Sequence, residues 1–189
     1  MPTAASSNAR RNREVTSNAS AIAIRSATLA DVPALAALGA ATFTETFGHL
    51  YAAEDLGEYL GRTHGEDAWA RLLTDPQRAV WIAMLTHERA IGFVTVGACK
   101  LPLERQPPKA GEIQQLYVLE RYQKHRIGSR LMDVGLRWLE SRNCTPLYVG
   151  VWSQNLGAQR FYGRYGFQIV GEYGFPVGRT VDREFIMMR

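Results

Sequence analysis

The stretch Leu116-Tyr-Val-Leu-Glu-Arg-Tyr-Gln-Lys-His-Arg-Ile-Gly-Ser-Arg-Leu131 changes its hydrophobic period partway along. With Glu112-Ile-Gln-Gln ahead of it, its first residues read as a strand running from Glu112 to Val118. A polar loop follows, and Ile127, Leu131, Val134 and Trp138 then fall on one helix face at spacings of 4, 3 and 4. A strand entering a helix through a polar, glycine-bearing loop is a natural anion site. The first backbone N–H groups of the helix have no intrahelical partner, and the helix dipole adds positive charge there. Here those donors belong to Ile127, Gly128, Ser129 and Arg130, and a pyrophosphate is the kind of ligand they suit.

Working outward, the next informative segment is Asn155-Leu-Gly-Ala-Gln-Arg-Phe-Tyr-Gly-Arg-Tyr-Gly-Phe167, which starts 27 residues after Gly128. Asn155 fits a helix N-cap, and Ala158, Phe161, Tyr162 and Tyr165 share one side of the helix it opens. Gly166 fits a left-handed stop. Tyr162 is the residue of this helix with chemical potential: a phenol with its ordinary pKa near 10 is a proton donor at neutral pH.

The rest of the chain fills in around these two units. Residues 1–20 hold almost no large apolar side chain, lack the apolar run of a secretory signal, and read as a disordered extension. Residues 21–189 then read as one domain. Ala21–Arg25 is an expected strand, and Thr28-Leu-Ala-Asp31 an N-cap with Asp31 at N3. Leu29, Val32, Leu35 and Leu38 keep helical spacing, with Gly39 as the expected stop. A second helical region spans about Ala52 to Leu73, broken near Gly61–Gly65 and closed by Asp75-Pro76. Ala79–Leu85 and Ala90–Ala98 flank the polar turn Thr86-His-Glu-Arg89 as a hairpin, and Leu101–Lys109 is a proline-bearing loop. Leu147–Trp152, Phe167–Val170 and Glu184–Met188 complete the strands. The order β-α-α-β-β-β-α-β-α-β-β describes a mixed α/β sheet rather than a regular βαβ repeat.

Composition narrows the function classes. A length of 189 residues with 46% hydrophobic and 21% charged residues is that of one ordinary globular domain. No run of about 18 apolar residues exists, so no membrane partner is expected. The net charge is +4, and Arg10, Arg11 and Arg13 against Glu14 supply +2 of it. No basic stripe with interleaved aromatics runs along the chain, so no nucleic-acid partner is expected. Cys99 and Cys144 form no CxxC pair and have no histidine at metal-ligand spacing. They read as free thiols of a reducing, cytoplasmic compartment, with no metal expected.

The two quoted segments together resemble the acyl-CoA-binding motifs of the GNAT superfamily of N-acetyltransferases. Against that family's loop pattern Q/R-x-x-G-x-G/A, Gln123-Lys-His-Arg-Ile-Gly128 matches the first and last defined positions and carries Arg126 at the middle one. If the loop is left-handed there, Arg126 carries a strain of about 1–2 kcal/mol, which phosphate contacts of its guanidinium could offset. The resemblance implies an α/β (α+β) domain with a mixed, mostly antiparallel central sheet and helices on both faces. It implies acetyl-CoA as co-substrate, held by Leu116, Tyr117, Val118, Gln123, Lys124, His125, Arg126, Ile127, Gly128, Ser129, Asn155 and Tyr162. It also implies Tyr162 as the acid that protonates the leaving thiolate and Glu112 as the base. Glu54, Asp55, His49 and Glu184 are alternatives for the base.

Neither cysteine has an activating neighbour, which favours direct transfer to an amine over a covalent acyl-enzyme. Ala41-Thr-Phe-Thr-Glu-Thr-Phe-Gly-His-Leu-Tyr51 and the tail from Phe175 to Met187 are similar to a GNAT subgroup that contains polyamine acetyltransferases. Glu45, Glu54, Asp55 and Glu58 would attract such a polycation. The alternatives are an acyl-CoA-binding sensor of the same fold and a peptide or protein N-acetyltransferase. A homodimer, common in the superfamily, is a further expectation that no interface in the sequence identifies.

Overall fold

The computed structural model describes residues 22–85 and 89–189. The expected extension over residues 1–20 and the centre of the Thr86–Arg89 turn lie outside the described residues. The chain begins with β1 (Ile22–Ser26), followed by α1 (Val32–Phe47), α2 (Ala53–His64) and α3 (Glu66–Thr74). The hairpin β2 (Arg78–Leu85) and β3 (Arg89–Ala98) leads to β4 (Gly111–Val118) and α4 (Ile127–Ser141). Then come β5 (Leu147–Trp152), α5 (Leu156–Arg164), β6 (Gln168–Val177) and β7 (Thr180–Met188). The strands form one seven-stranded sheet in the order β1-β2-β3-β4-β5-β7-β6. Every neighbouring pair is antiparallel except β4 and β5, which run parallel.

Strand periodicity sorts the helices onto opposite faces. Phe93 of β3 meets Trp69 of α3, ring centroids 5.0 Å apart, on one face. Its neighbours Val94 and Val96 lie against Gly135 of α4 on the other. Trp69, Phe93, Ile82, Leu131 and Leu139 are all at most 1% exposed. Burial of side chains this size contributes about 1.5–3 kcal/mol each.

The first helical turn is tied to β1 by charge. Asp31 accepts the Thr28 backbone N–H at 2.8 Å and receives both Arg25 guanidinium nitrogens, at 2.6 and 2.7 Å. The Arg25 hydrogen bonds hold the Asp31 carboxyl down at about 2.

Four local expectations are corrected. Helix α1 does not stop at Gly39 but continues to Phe47, because that glycine serves a close helix contact rather than an end. Leu29 is exposed in a short 3-10 turn ahead of α1. The core face of α4 is Ile127, Leu131, Met132, Gly135, Leu136 and Leu139, while Val134 and Trp138 sit half-buried at its margin. Strand β6 runs far beyond Val170, through Gly171, Gly174 and Pro176. Among the described residues β6 is the sheet's edge and pairs with β7 alone, a position where a proline is tolerated.

Candidate active site

The site begins where two strands part. β4 and β5 are paired only through Gly111↔Leu147, Glu112↔Tyr148 and Ile113↔Val149. At the end of that short ladder β4 bulges: Val96 faces Ile113 while Thr95 faces Gln115, which leaves Gln114 as the extra residue. A bulge bends and twists its strand. Here the Gln114 side chain donates to the Ala98 carbonyl at 3.0 Å, and β4 stays with β3 as far as Val118 while it leaves β5 behind.

The gap opens into a cleft of 770 Å³. Leu116, Tyr117 and Val118 form one wall, Val149–Trp152 the other, and the α4 entry loop and α5 close its ends. In the loop, Lys124 and Arg126 both adopt left-handed backbone, at φ 70° and 58°. Left-handed residues among right-handed ones turn successive N–H groups inward as an anion-binding concavity. Directly after it, α4 makes its first intrahelical bond from Arg130 N–H to the Arg126 carbonyl, at 3.0 Å. Ile127, Gly128 and Ser129 precede that bond and line the cleft.

Every residue the sequence points to for holding the coenzyme borders this cleft except His125. The His125 ring turns back on its own loop, with Nδ1 3.3 Å from the Tyr122 carbonyl and 3.0 Å from that of Gln123. Gln123 donates to the Val118 carbonyl at 3.2 Å and so ties the loop to the end of β4. Glu45 of α1 accepts the Glu120 N–H at 3.0 Å and also borders the cleft.

Helix α5 is held at both ends. Asn155 Oδ1 accepts the Ala158 N–H at 2.9 Å, the expected N-cap. At the other end Gly166, at φ 86°, donates to the Gly163 carbonyl, and Phe167 donates to the Tyr162 carbonyl. That paired bond pattern around a left-handed glycine is a Schellman stop. Its hydrophobic contact is the Tyr162–Phe167 ring pair, 6.1 Å between centroids. Tyr162 is thereby fixed on the cleft wall at 7% exposure. Burial, assisted by the charge of Glu184, raises its phenol well above the ordinary value and keeps it protonated.

A second cleft of 370 Å³ meets the first from the side of α1, α2 and the β6–β7 hairpin. Its walls are strongly aromatic: Phe43, Phe47, Tyr51, Tyr59, Trp152 and Phe175 among them. Phe43 stacks on Tyr59 at 4.5 Å, Phe47 lies 5.7 Å from Trp152, and Tyr59 lies 5.9 Å from Phe175. Three carboxylates, Glu112, Asp182 and Glu184, share these walls with the cations Arg78 and Lys100. Asp182 accepts a short hydrogen bond from the Tyr51 hydroxyl, and Glu184 accepts one from Tyr173. Glu112 accepts the Lys100 backbone N–H at 2.6 Å. Burial pushes its carboxyl up to about 7, against the opposing pull of Arg78.

Glu112 borders only this second cleft, whereas Glu184 borders both. Of the other carboxylates and bases considered from the sequence, Glu54, Glu58 and His49 are exposed, and Asp55 pairs with Arg179 at 3.4 Å. None of these lines either cleft. The acidic wall comes from β4 and β7 rather than from α2. Gly150, Trp152, Tyr173 and Asp182, which the sequence did not single out, are wall residues brought in by the β5–β7–β6 register, for which local pattern carries no signal.

Residues 41–167 match the Acetyltransferase (GNAT) family, and the chain belongs to it. An uncharacterized N-acetyltransferase of Lactobacillus delbrueckii subsp. lactis is 26% identical over 163 residues, covering 84% of this chain and 91% of that one. The spermine/spermidine N(1)-acetyltransferase of Bacillus subtilis is 30% identical over 97 residues, 50% of this chain and 62% of its own. The PaiA N-acetyltransferase of Thermoplasma acidophilum, solved with coenzyme A, superposes with a TM-score of 0.71 at 18% identity, covering 89% of this chain and 98% of that one. The chain is an N-acetyltransferase with the single-domain mixed α/β fold of that family. Among the described residues, no helix is long and apolar enough to cross a membrane.

Proposed function

We propose that the protein transfers the acetyl group of acetyl-CoA directly to a primary amine of a small, cationic, polyamine-like molecule. The observation that carries this reading is the junction of two chemically different clefts. The larger has a phosphate-suited loop at one end and unpaired strand edges along its walls, which fits a pyrophosphate followed by an amide-bearing arm. The smaller combines stacked aromatic rings with three carboxylates, which fits an organic cation through cation–π and Coulomb attraction. The polyamine acetyltransferase of Bacillus subtilis is similar over half the chain, which agrees with that acceptor class.

In this reading Lys124, Arg126 and the N–H groups at the start of α4 hold the coenzyme's phosphates, and Leu116–Val118 and Asn155 hold its arm. Glu112 takes a proton from the acceptor ammonium, a role matched to a carboxyl that titrates near neutral pH. The neutral nitrogen then forms the new C–N bond as the thioester C–S bond breaks. Tyr162 gives its hydroxyl proton to the departing sulfur and regains one as the amide nitrogen sheds its second. An acetyl-transfer assay over a panel of polyamines, amino acids, aminoglycosides and peptides tests the acceptor. Turnover of spermidine-like amines with little transfer to the other groups is expected, and preferential transfer to a peptide N-terminus would replace this acceptor.

A further inference from the structure

Glu184 occupies a position in the sheet that neither strand periodicity nor the expected chemistry of Glu112 explains. It pairs in register with Trp152 of β5 on one side and Tyr173 of β6 on the other. It is the one carboxylate that borders both clefts, so it stands where they meet. Its Oε2 is taken by the Tyr173 hydroxyl. Among the described residues, no lysine, arginine or histidine forms an ion pair with it, whereas Glu112 has the charge of Arg78 nearby.

The neighbour across the junction is Gly150, which also borders both clefts. A Cβ built on Gly150 would lie 2.8 Å from the Tyr173 hydroxyl oxygen and 3.1 Å from Glu184 Oε2. The absent side chain leaves room for the Tyr173–Glu184 pair beside Gly150, with Glu184 reaching the first cleft.

We infer that Glu184 is the anionic group that receives the acceptor's reacting ammonium where the two clefts join, with Tyr173 as its positioning residue and Gly150 as the gap that admits them. A carboxylate removed from water without a counter-charge is costly, and an incoming ammonium supplies one. The Tyr173 bond fixes one oxygen and leaves the other free to accept from the amine, since an ionised carboxylate accepts at both. Burial raises the Glu184 carboxyl, and its charge in turn acts on Glu112 and on the phenols of Tyr51, Tyr59, Tyr117, Tyr162 and Tyr173. A cation bound at Glu184 would therefore sit at the electrostatic centre of the site. Asp182, also on β7, adds to that field.

This assignment rests on the acceptor reading above and is tested on the full chain with spermidine as the amine. Glu184→Gln should raise the acceptor KM by roughly 10- to 100-fold, the loss expected for a charged hydrogen bond, while the Kd of coenzyme A by calorimetry stays unchanged. Tyr173→Phe should give a smaller rise of the same kind. Gly150→Ala should raise KM as Tyr173→Phe does, and adding it to Tyr173→Phe should cost less than it does alone, because the hydroxyl it strikes is gone. Melting temperatures separate the structural reading of a plain cross-strand pair: stability would then fall with the acceptor KM intact. Wild-type turnover of spermidine with an unchanged KM in Glu184→Gln overturns this inference alone. A wild type that acetylates no amine overturns the functional reading and this inference with it.

Discussion

Gly39 of α1 lies directly beneath the imidazole of His64, the last residue of α2: a Cβ at Gly39 would sit 2.3 Å from His64 Nδ1. The two helices approach this closely only because one of them has no side chain at the crossing. His64 is 2% exposed and enclosed by aromatic rings, with Phe43, Trp69 and Tyr59 at centroid distances of 5.9, 6.1 and 6.4 Å.

Gly39→Ala should therefore destabilise the fold. In an open helix the change gains about 1 kcal/mol from propensity. Here a methyl group meets a packed ring, and overpacking of that kind costs about 1–3 kcal/mol, so the net sign is unfavourable. Chemical denaturation reads the difference, and a stabilised Gly39→Ala would show that the crossing has slack.

His64 should also make the fold acid-sensitive. Burial lowers its pKa from 6.5 to about 4, and among the described residues neither ring nitrogen has a hydrogen-bond partner. Between those values the unfolded chain binds the proton and the folded one does not, so stability is full above about 6.5 and is lost as pH falls through 4. The shift corresponds to about 3 kcal/mol. Unfolding free energies measured at pH 7.5 and 4.5 should show wild type losing more stability over that interval than His64→Phe, and equal losses would remove His64 as the source of the acid sensitivity.

Tyr162→Phe should lower kcat by roughly 10²- to 10⁴-fold, the usual worth of general acid assistance, with the coenzyme Kd little changed. Burial already holds this phenol protonated across the physiological range, so no acid-side loss of activity should trace to it. Unchanged turnover would remove the acid role.

Glu112→Gln should erase a pH dependence as well as slow the reaction. Turnover that requires the carboxylate rises as pH passes through about 7, and the variant should show a flat profile over pH 6–8 at a lower rate. For stability the sign is opposite. A carboxyl raised by burial contributes stability below its ordinary 4.5 that is lost as pH climbs to about 7. The variant should thus lose less stability than wild type over that interval.

Arg126→Gly separates backbone from side chain in the phosphate loop. At φ 58° the arginine carries left-handed strain of about 1–2 kcal/mol, which glycine removes while adding freedom to the unfolded chain. Stability should stay within about 1 kcal/mol of wild type. The exposed guanidinium on the cleft wall is lost as well, so the Kd for coenzyme A should rise by roughly three- to tenfold and become less salt-dependent. Tighter binding would show that the arginine obstructs the loop.

Much of this architecture was legible because local chemistry and tertiary role agree. The Asn155 cap, the Gly166 stop, the antiparallel pairing of β2 with β3 and the change from strand to helix between Val118 and Ile127 each follow from rules that act within a few residues. Gly39 failed for the opposite reason. A helix-ending glycine and one that admits a neighbouring ring look alike in sequence, and only His64, 25 positions on, distinguishes them. His125 sits inside the right motif and faces the wrong way, since its ring is drawn back by carbonyls of its own loop. Acidic side chains were expected from Glu45, Glu54, Asp55 and Glu58, whereas those lining the smaller cleft are Glu112 of β4 and Asp182 and Glu184 of β7, because the sheet order places β7 beside β5 and no local pattern encodes that adjacency.

The parting of β4 from β5 after three residue pairs leaves a sheet edge in the middle of the molecule rather than at its rim. Exposed strand edges invite other strands, and the larger cleft lies along this one. A ligand lying in the gap would act as a substitute strand, satisfying main-chain groups that otherwise rely on solvent. Supply of co-substrate would then govern how long the protein survives at high concentration as well as how fast it works, and coenzyme-starved preparations would be the first to associate through their own interiors.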